Sequence, residues 1–559
     1  MLGSIATGMN LSMGVQAKSV LVWGLGNAYL EKPPAGVLLL SATSWLLGLV
    51  PGRALYAAVL ASHVLWALAF WCWVRSLRLG PRVFRASLLL FLGLPLFNSY
   101  EGLDNYATLI AAALFLLLAS QFLECRVAGA RPGGLVLASL AAWGLLLVRV
   151  EYLLFLPGYL ALDTLLRWLA GGGLPGRGER RLYWAAACFL VLGGLTTMTF
   201  RYYDAGDFAL APNAYTCATF LQGTPEAWLT AEEYRQGDKG RYLCGVRHFG
   251  DPADYGYSLP RLVWDNPGRT CAKAIHNLPS WLFHLGRRHV VCPLPVAGLA
   301  CVGAVAFAAR GGRRRQRVLP SLAATILMTL PLIGSSVSAE YLMPAYAAMV
   351  VLAANGFQRL LSLIGLGGGA GAGGAIRAAR GAAWLGLLAL LEMLYFRGGG
   401  NLPDATDLAA VAEVVDGQAA DAPGERLLLD PYSMDVDIFS RADIRNRWLE
   451  LAWLRAQGSP ATFPPESMPG LLEIERAPIA RAAGLDRLIV WCLGDGLGGD
   501  CQRRVASWQE RGFRPGDSRI VRDRHGRTVT VVFLRRDRSA AAAPPGEGVR
   551  TRWSGPPPS

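Results

Sequence analysis

Five short segments hold most of the residue types able to do chemistry. Tyr29-Leu30-Glu31-Lys32-Pro33-Pro34 stands just before an apolar stretch. A lysine held there by two prolines suits the phosphate of a lipid headgroup. It also fits a plain anchor whose ammonium snorkels into the headgroups. Asn98-Ser99-Tyr100-Glu101-Gly102-Leu103-Asp104-Asn105-Tyr106 puts two carboxylates in one short loop. Carboxylates so placed can hold a divalent metal through hard oxygens or take a proton from a hydroxyl; a solvated turn is the plainer alternative. Arg149 and Glu151 flank a corner between two apolar runs. An ionisable pair at that depth is a functional hint and equally an ordinary interfacial ion pair. Arg201-Tyr202-Tyr203-Asp204-Ala205-Gly206-Asp207 opens a long polar stretch, and Pro212-Asn213-Ala214-Tyr215 follows it. With Arg241, Arg247, Arg261 and Arg269, Arg201 could clamp a phosphate or diphosphate. His248, His276, His284 and His289 lie there too, without the paired spacing of metal ligands. Last comes Glu340-Tyr341-Leu342-Met343-Pro344-Ala345-Tyr346.

Composition says what kind of elements must position these residues. Of 559 residues 53% are hydrophobic and only 17% charged, with a mean hydropathy of +0.32. Soluble domains carry about 25% charge, so a soluble chain is excluded, as are collagen-like, disordered and disulfide-scaffold classes. A polytopic α-helical membrane protein with soluble parts remains. Apolar runs able to cross a ~30 Å hydrocarbon core lie near 54–74, 83–98, 107–123, 133–149, 152–170, 183–200, 290–309, 318–337, 341–361 and 382–396. Every second loop is arginine-rich: Arg75 to Arg85, Arg126 and Arg131, Arg177 to Arg181, Arg310 to Arg317, and Arg359 to Arg380. The positive-inside rule assigns those loops to the cytoplasm. The alternate loops, including 201–289 and the tail from 397, then face outward. The net charge of +14 thus orients the chain, and nucleic acid is not needed to explain it. The basic residues are nearly all arginine, the lysines being Lys18, Lys32, Lys239 and Lys273.

This topology divides the chain into an outer N-terminal segment with an interfacial helix (1–53), a transmembrane domain (54–396), a soluble α/β domain (397–538) and a disordered tail (539–559). Ten spans put residue 1 outside, while 18–29 is too short to span and 35–50 reads as interfacial. Neither carries the basic lead-in of a signal peptide. The expectation is a further spanning helix before residue 1; the alternative is that 35–50 dips into the membrane. In the tail a helix is expected at 405–416, with Asp404 as its N-cap and Gly417 just past its end. Strands are expected at 426–430, 487–492 and 528–535, and a helix near 502–511. The Gly/Ala stretch 366–375 reads as a linker. Cys217–Cys244 and Cys492–Cys501 are candidate disulfides of an oxidising outer side. No Cys or His spacing points to zinc.

Taken in order, these segments resemble the membrane-embedded GT-C glycosyltransferases, the superfamily of the protein O-mannosyltransferases (glycosyltransferase family 39) and the lipid A aminoarabinose transferase. YLEKPPAG is similar to that family's first-loop ending, usually Y-x-E-K-P-P. LVRVEYLLFLP is similar to its R-P-E stretch, with Val150 in place of the proline. FRYYDAGDFALAPNAY resembles its YYG-D-x-x-P-N-T opening of the large loop, and EYLMPAY its R-Y-L-L-P-x-x-P. The resemblance runs over about residues 17–350, and order and spacing carry it.

The resemblance implies a GT-C fold and transfer of a hexosyl or pentosyl group from a polyprenyl-phosphate donor, with inversion. The acceptor is a lipid, glycan or protein on the outer, periplasmic side of a bacterial inner membrane. By match to EKPP, Lys32 holds the lipid phosphate, with Arg201 sharing it. By position in the second outer loop, Asp104, with Glu101 beside it, serves the acceptor and a divalent metal, Mg or Mn. Glu31, Arg149, Glu151, Asp207 and Tyr341 are substrate-binding. The family's first-loop acidic motif belongs about thirty residues before EKPP, and residues 1–17 contain no Asp or Glu. Glu340 stands where the family often has Arg, so no phosphate contact carries over there. Two other readings stay open: a transporter or flippase of lipid-linked sugars, which would put charge near the bilayer midplane, and a non-catalytic subunit of glycan assembly. Within the spans, Glu392 and His63 are the ionisable exceptions.

Overall fold

The computed structural model describes residues 17, 21, 34–93, 106–205, 208–210, 213–235, 238–286, 294–309, 313–335, 337, 339–366, 374–397, 408–421, 427–429, 444–445, 487–493, 499–510, 513–522 and 528–536. The chain divides into two compact units: residues 1–407 with 451–477, and residues 408–450 with 478–559.

The first unit is helical. Its helices are α1 (Pro34–Leu47), α2 (Pro51–Ser76), α3 (Pro81–Gly93), α4 (Tyr106–Ala128), α5 (Pro132–Val148), α6 (Tyr152–Leu169) and α7 (Arg177–Ala205). The loop helices follow: α8 (Asn213–Gln222), α9 (Ala231–Arg235), α10 (Asp238–Phe249), α11 (Leu259–Asp265) and α12 (Pro267–Gly286). Then come α13 (Leu294–Ala309), α14 (Arg313–Leu327), α15 (Met343–Leu363) and α16 (Gly374–Arg397). Proline opens α1, α2, α3, α5 and α12, a position where its missing N–H costs nothing and its fixed φ suits the helix. Among the described residues, four helices hold stretches long and apolar enough to cross a membrane: α2, α4, α7 and α16. The chain is an integral membrane protein. The 14 residues of α1 extend only about 21 Å, short of the hydrocarbon thickness.

Small residues let the long helices approach closely. Gly303 of α13 and Gly356 of α15 face each other's helix backbone: a Cβ on Gly303 would fall on the carbonyl oxygen of Leu352, and one on Gly356 on that of Leu299. Beside them the Asn355 amide donates to the Gly303 carbonyl at 2.9 Å. At the arginine-rich end, α4, α6 and α7 share a buried ion network. Arg126 donates to Glu179 at 2.7 Å and pairs with Asp163; Arg167 reaches Glu179 at 2.9 Å, and the Tyr183 hydroxyl donates to Glu179 at 3.0 Å. Asp163 and Arg167 lie inside α6 but toward this end of the bundle, away from mid-span. His63 turns its ring nitrogen to the Val59 carbonyl of its own helix at 2.7 Å, and the side chain of Glu392 lies outside the described residues.

The stretch between α7 and α13 folds around its own core of Phe220, Leu221, Phe249 and Leu262, with Trp228 and Tyr255 against it. The proposed Cys217–Cys244 bridge does not form. Both thiols are free and buried, Cys217 donating to the Tyr257 carbonyl and Cys244 to that of Trp228. Each thiol has a carbonyl acceptor on a different segment, so the two serve separate contacts.

The second unit is a mixed sheet with two helices, α17 (Leu408–Asp421) and α18 (Gly499–Glu510). Strands β1 (Leu427–Leu429), β2 (Ile444–Arg445), β3 (Arg487–Leu493), β4 (Phe513–Arg522) and β5 (Thr528–Arg536) lie in the order β2-β1-β3-β5-β4. β1 is parallel to β2 and β3, while β5 is antiparallel to β3 and β4, with Val490 opposite Val532. Val529 to Leu534 are all buried, so both faces of β5 are covered, as its unbroken apolar run requires. The helix expected to stop before Gly417 instead continues to Asp421, and its proposed cap Asp404 lies outside the described residues, as do the side chains of Cys492 and Cys501. β4 and the two-residue β2 were not expected from sequence.

Candidate functional site

Four helix ends meet at the end of the bundle opposite the arginine-rich loops. α5 stops at Val148 because Arg149 is extended (φ −151°, ψ 120°), and α6 begins three residues after it, at Tyr152. This corner turns the Arg149 side chain across the start of α4, where it donates to the Thr108 hydroxyl at 2.6 Å. Its guanidinium also faces Glu151 at 3.6 Å and lies over the Tyr341 ring at 5.2 Å from the centroid. Tyr341 sits in the short 3-10 turn Ala339–Leu342 that leads into α15. A guanidinium can make edge hydrogen bonds and stack on an aromatic face at once, which an ammonium cannot. The second Glu151 oxygen is buried and has no hydrogen-bond partner among the described residues. A buried carboxylate oxygen without a donor is costly and is a natural place for a ligand hydroxyl.

Arg201, on the last turns of α7, is 2% exposed. One turn earlier the Thr197 hydroxyl donates to the Leu146 carbonyl at 3.0 Å. That contact sets Arg201 about 6 Å farther along, toward the same end as Arg149.

Of the residues expected from sequence, the structure thus brings Arg149, Glu151 and Tyr341 into one cluster and places Arg201 at the same end. Glu31, Lys32, Glu101, Asp104 and Asp207 lie outside the described residues. Their described neighbours meet. Gly36, in the first turn of α1, accepts a hydrogen bond at 2.5 Å from the hydroxyl of Tyr106, the first residue of α4. Thr108 escaped the sequence reading, and Tyr106 was named only as the last residue of the acidic loop; the available signal was their position in the first turn of the helix that follows that loop.

The remaining loop arginines keep local partners: Arg241 with Glu226 at 2.6 Å, Arg247 with Glu233 at 2.9 Å, Arg261 with Asp265 at 3.6 Å, and Arg269 with the His248 carbonyl. They do not converge as a phosphate clamp. Burial, with Arg247 and Arg269 nearby, holds the His248 imidazole below its ordinary value. Sequence reading also missed Lys273. It is fully buried, donates to the Phe220 carbonyl and lies 3.6 Å over the Phe220 ring. Burial pushes its ammonium down to about 7.

No family model and no curated protein matches the chain. Solved structures do. The crystal structure of ArnT from Cupriavidus metallidurans bound to undecaprenyl phosphate superposes with a TM-score of 0.56, at 14% identity, over 95% of each chain. The apo state of the same protein gives 0.55, again at 14% identity over 95% of each chain. The chain has the fold of the GT-C membrane glycosyltransferases. The GT-C likeness covers nearly all of both chains, so the fold that the sequence motifs implied over 17–350 extends well beyond them.

Proposed function

We propose that this protein transfers a sugar from a polyprenyl-phosphate donor to a lipid, glycan or protein acceptor at the membrane face opposite the arginine-rich loops. In a bacterium this is the periplasmic face of the inner membrane, and the C-terminal unit lies on that side. One observation carries the reading: Arg149, held by Thr108, Glu151 and Tyr341, stands at the same end of a GT-C fold as the Tyr106–Gly36 contact. Chain connectivity supports it. In the sequence Lys32 is four residues from Gly36 and Asp104 two from Tyr106. A fold neighbour, ArnT, has been crystallised with undecaprenyl phosphate.

In this reading Asp104 accepts the proton of an acceptor hydroxyl while its oxygen attacks the anomeric carbon. The bond from that carbon to the phosphate oxygen breaks on the opposite face. The configuration therefore inverts, and the electron pair leaves on polyprenyl phosphate. Lys32 and the buried Arg201 offset the charge growing there, an effect that is larger where water is excluded. Glu101 neighbours the base. Glu31, Arg149, Glu151, Asp207 and Tyr341 orient the sugar and acceptor, the free oxygen of Glu151 taking a hydroxyl. Asp104 is the residue this sequence offers to a divalent metal such as Mg or Mn. It lies outside the described residues, among which no group of three His, Cys, Asp or Glu gathers, and no step above runs through a metal.

The test is transfer from polyprenyl-phosphate sugars by the full chain in lipid vesicles. Loss of a general base costs about 10²–10⁴ in rate, so Asp104→Asn should fall at least about a hundredfold in kcat/KM. Lys32→Ala should fall mainly through donor binding. Unchanged turnover in both variants overturns the site, and an inactive wild type with every polyprenyl-phosphate sugar overturns the function.

A further inference from the structure

A second site lies at the other end of the bundle. The ends of α2, α4, α5 and α7 enclose a cavity of about 410 Å³, open on one side and lined by Trp71, Arg75, Gln121, Glu124, Arg131 and Leu135 among others. That volume falls within the usual range for small-ligand sites. Its charge is unbalanced. Glu124 is matched by Arg78 at 3.3 Å, just outside the lining. The Arg75 guanidinium lies 5.5 Å from the centroid of the Trp71 ring, and neither Arg75 nor Arg131 has an ion pair among the described residues. Two arginines therefore line one cavity whose carboxylate, Glu124, is already paired with Arg78.

Paired guanidiniums suit an oxyanion, each offering a planar fork of donors, and a phosphate has acceptor oxygens enough for both. The setting is that of a lipid. The cavity lies between helix ends on the arginine-rich side, where basic pockets take anionic headgroups, and Trp71 has the residue type that settles at headgroup depth. Leu68, Leu135 and Val136 beside it are exposed, a surface fitted to acyl chains.

We propose that this cavity binds a phosphate-bearing ligand through Arg75 and Arg131, and that the phosphate is the headgroup of an anionic phospholipid in the adjoining leaflet. A phosphate compound from solution shares the same recognition, so the experiment separates the two sources.

The full chain in detergent is titrated with phosphatidylglycerol, with phosphatidylcholine and with inorganic phosphate. Retained lipid is read by native mass spectrometry, and alkylation of the cavity-lining Cys72 by peptide mapping. Phosphatidylglycerol should be retained and should protect Cys72, with phosphatidylcholine and phosphate doing neither. The Arg75→Ala/Arg131→Ala variant should bind it at least about tenfold more weakly, while Arg85→Ala, at an exposed arginine of the same end, binds as wild type. If millimolar phosphate protects Cys72 as well as the lipid does, and the double variant abolishes this, the site stands and its ligand comes from solution. Equal protection by the two lipids, or a double variant that binds like wild type, overturns the proposal. Should the double alanine fail to fold, the wild-type Cys72 comparison and the charge-retaining Arg75→Lys/Arg131→Lys variant decide it, the latter keeping charge preference but losing affinity.

Discussion

At the scale of single residues, an ion pair and one buried lysine dominate what can be tested. Arg149 and Glu151 share a corner at which both are mostly buried, and Arg149 alone joins α4, α5 and the Tyr341 turn. Removing one member of a buried pair leaves the other uncompensated and costs about 3–5 kcal/mol; partial solvent access here lowers that to about 2 kcal/mol. Arg149→Ala should therefore lower the thermal midpoint, and Glu151→Gln added to it should recover part of the loss. A double-mutant cycle by thermal unfolding in detergent measures the coupling, and strictly additive losses would show that the two do not interact. Lys273 makes a prediction about pH. Burial holds its folded value near 7, while an unfolded lysine titrates near 10.4. Between those values the unfolded chain binds the extra proton, so stability rises with pH across about 7 to 10, by up to about 1.4 kcal/mol per unit. Below pH 7 both states are protonated and the burial penalty stands in full. Lys273→Met should remove the slope and stabilise the 201–289 segment at pH 6, as read by hydrogen exchange of α8 and α12 against pH. An unchanged slope in the variant would assign the effect to another group. The Arg149–Glu151 pair was readable from sequence, but the role of Lys273 was not: it is one lysine in an ordinary helical pattern, and nothing local marks the carbonyl of Phe220 as its acceptor.

At the scale of elements, the legible features were those that repeat along the chain. Ten apolar runs foretold helices near the observed positions, because length and hydrophobicity alone define a segment that can bury in lipid. The tail strands at 427–429, 487–493 and 528–536 were found from their β-branched and apolar composition. What failed depends on partners distant in sequence. β4 reads as polar, with exposed residues along most of its length, and becomes a strand only because β5 supplies the ladder. The Asp163–Arg167 pair has helical i, i+4 spacing and was open to view, yet its importance comes from Arg126 and Glu179 on two other helices. Gly303 and Gly356 are of the same kind. They look like two glycines among 65, but each faces a carbonyl of the opposing helix where a Cβ does not fit. Backbone cannot move aside as a side-chain tip can, so overpacking here should cost at least the usual 1–3 kcal/mol. Gly356→Leu is expected to destabilise by about 3 kcal/mol or to abolish folding, whereas Gly386→Leu, at a position with open space around it, should be tolerated. Detergent-resistance midpoints of the two variants give the comparison, and equal midpoints would mean that α13 and α15 do not cross at these glycines.

At the scale of the whole molecule, function depends on which end faces which side. The arginine count located the basic excess in alternate loops. The structure then gathers two groups of residues at opposite ends of one bundle: the ion network and the Arg75–Arg131 cavity at one, the Arg149 corner and the Tyr106–Gly36 contact at the other. Arg149, Glu151 and Tyr341 were legible from sequence because they lie at the ends of apolar runs, where hydropathy changes. The geometry of the site was not, because Arg149 meets Thr108 across 41 residues and Tyr106 meets Gly36 across 70. The proposed function requires the motif-bearing end to face outward, away from nucleotide-sugar pools. Native cysteines can decide this. Cys271 lies exposed on α12, in the segment leading to the motif-bearing end, and Cys72 lines the cavity at the other. In right-side-out vesicles of phosphatidylcholine a membrane-impermeant maleimide should label Cys271 and spare Cys72, and opening the vesicles should make Cys72 reactive. Peptide mapping reads both thiols in one sample, so uneven vesicle sealing affects them together. Labelling of Cys72 before Cys271 would invert the topology. It would put Lys32, Asp104 and Arg149 on the cytoplasmic side and remove the basis for a lipid-linked donor, because a sugar nucleotide would then be within reach.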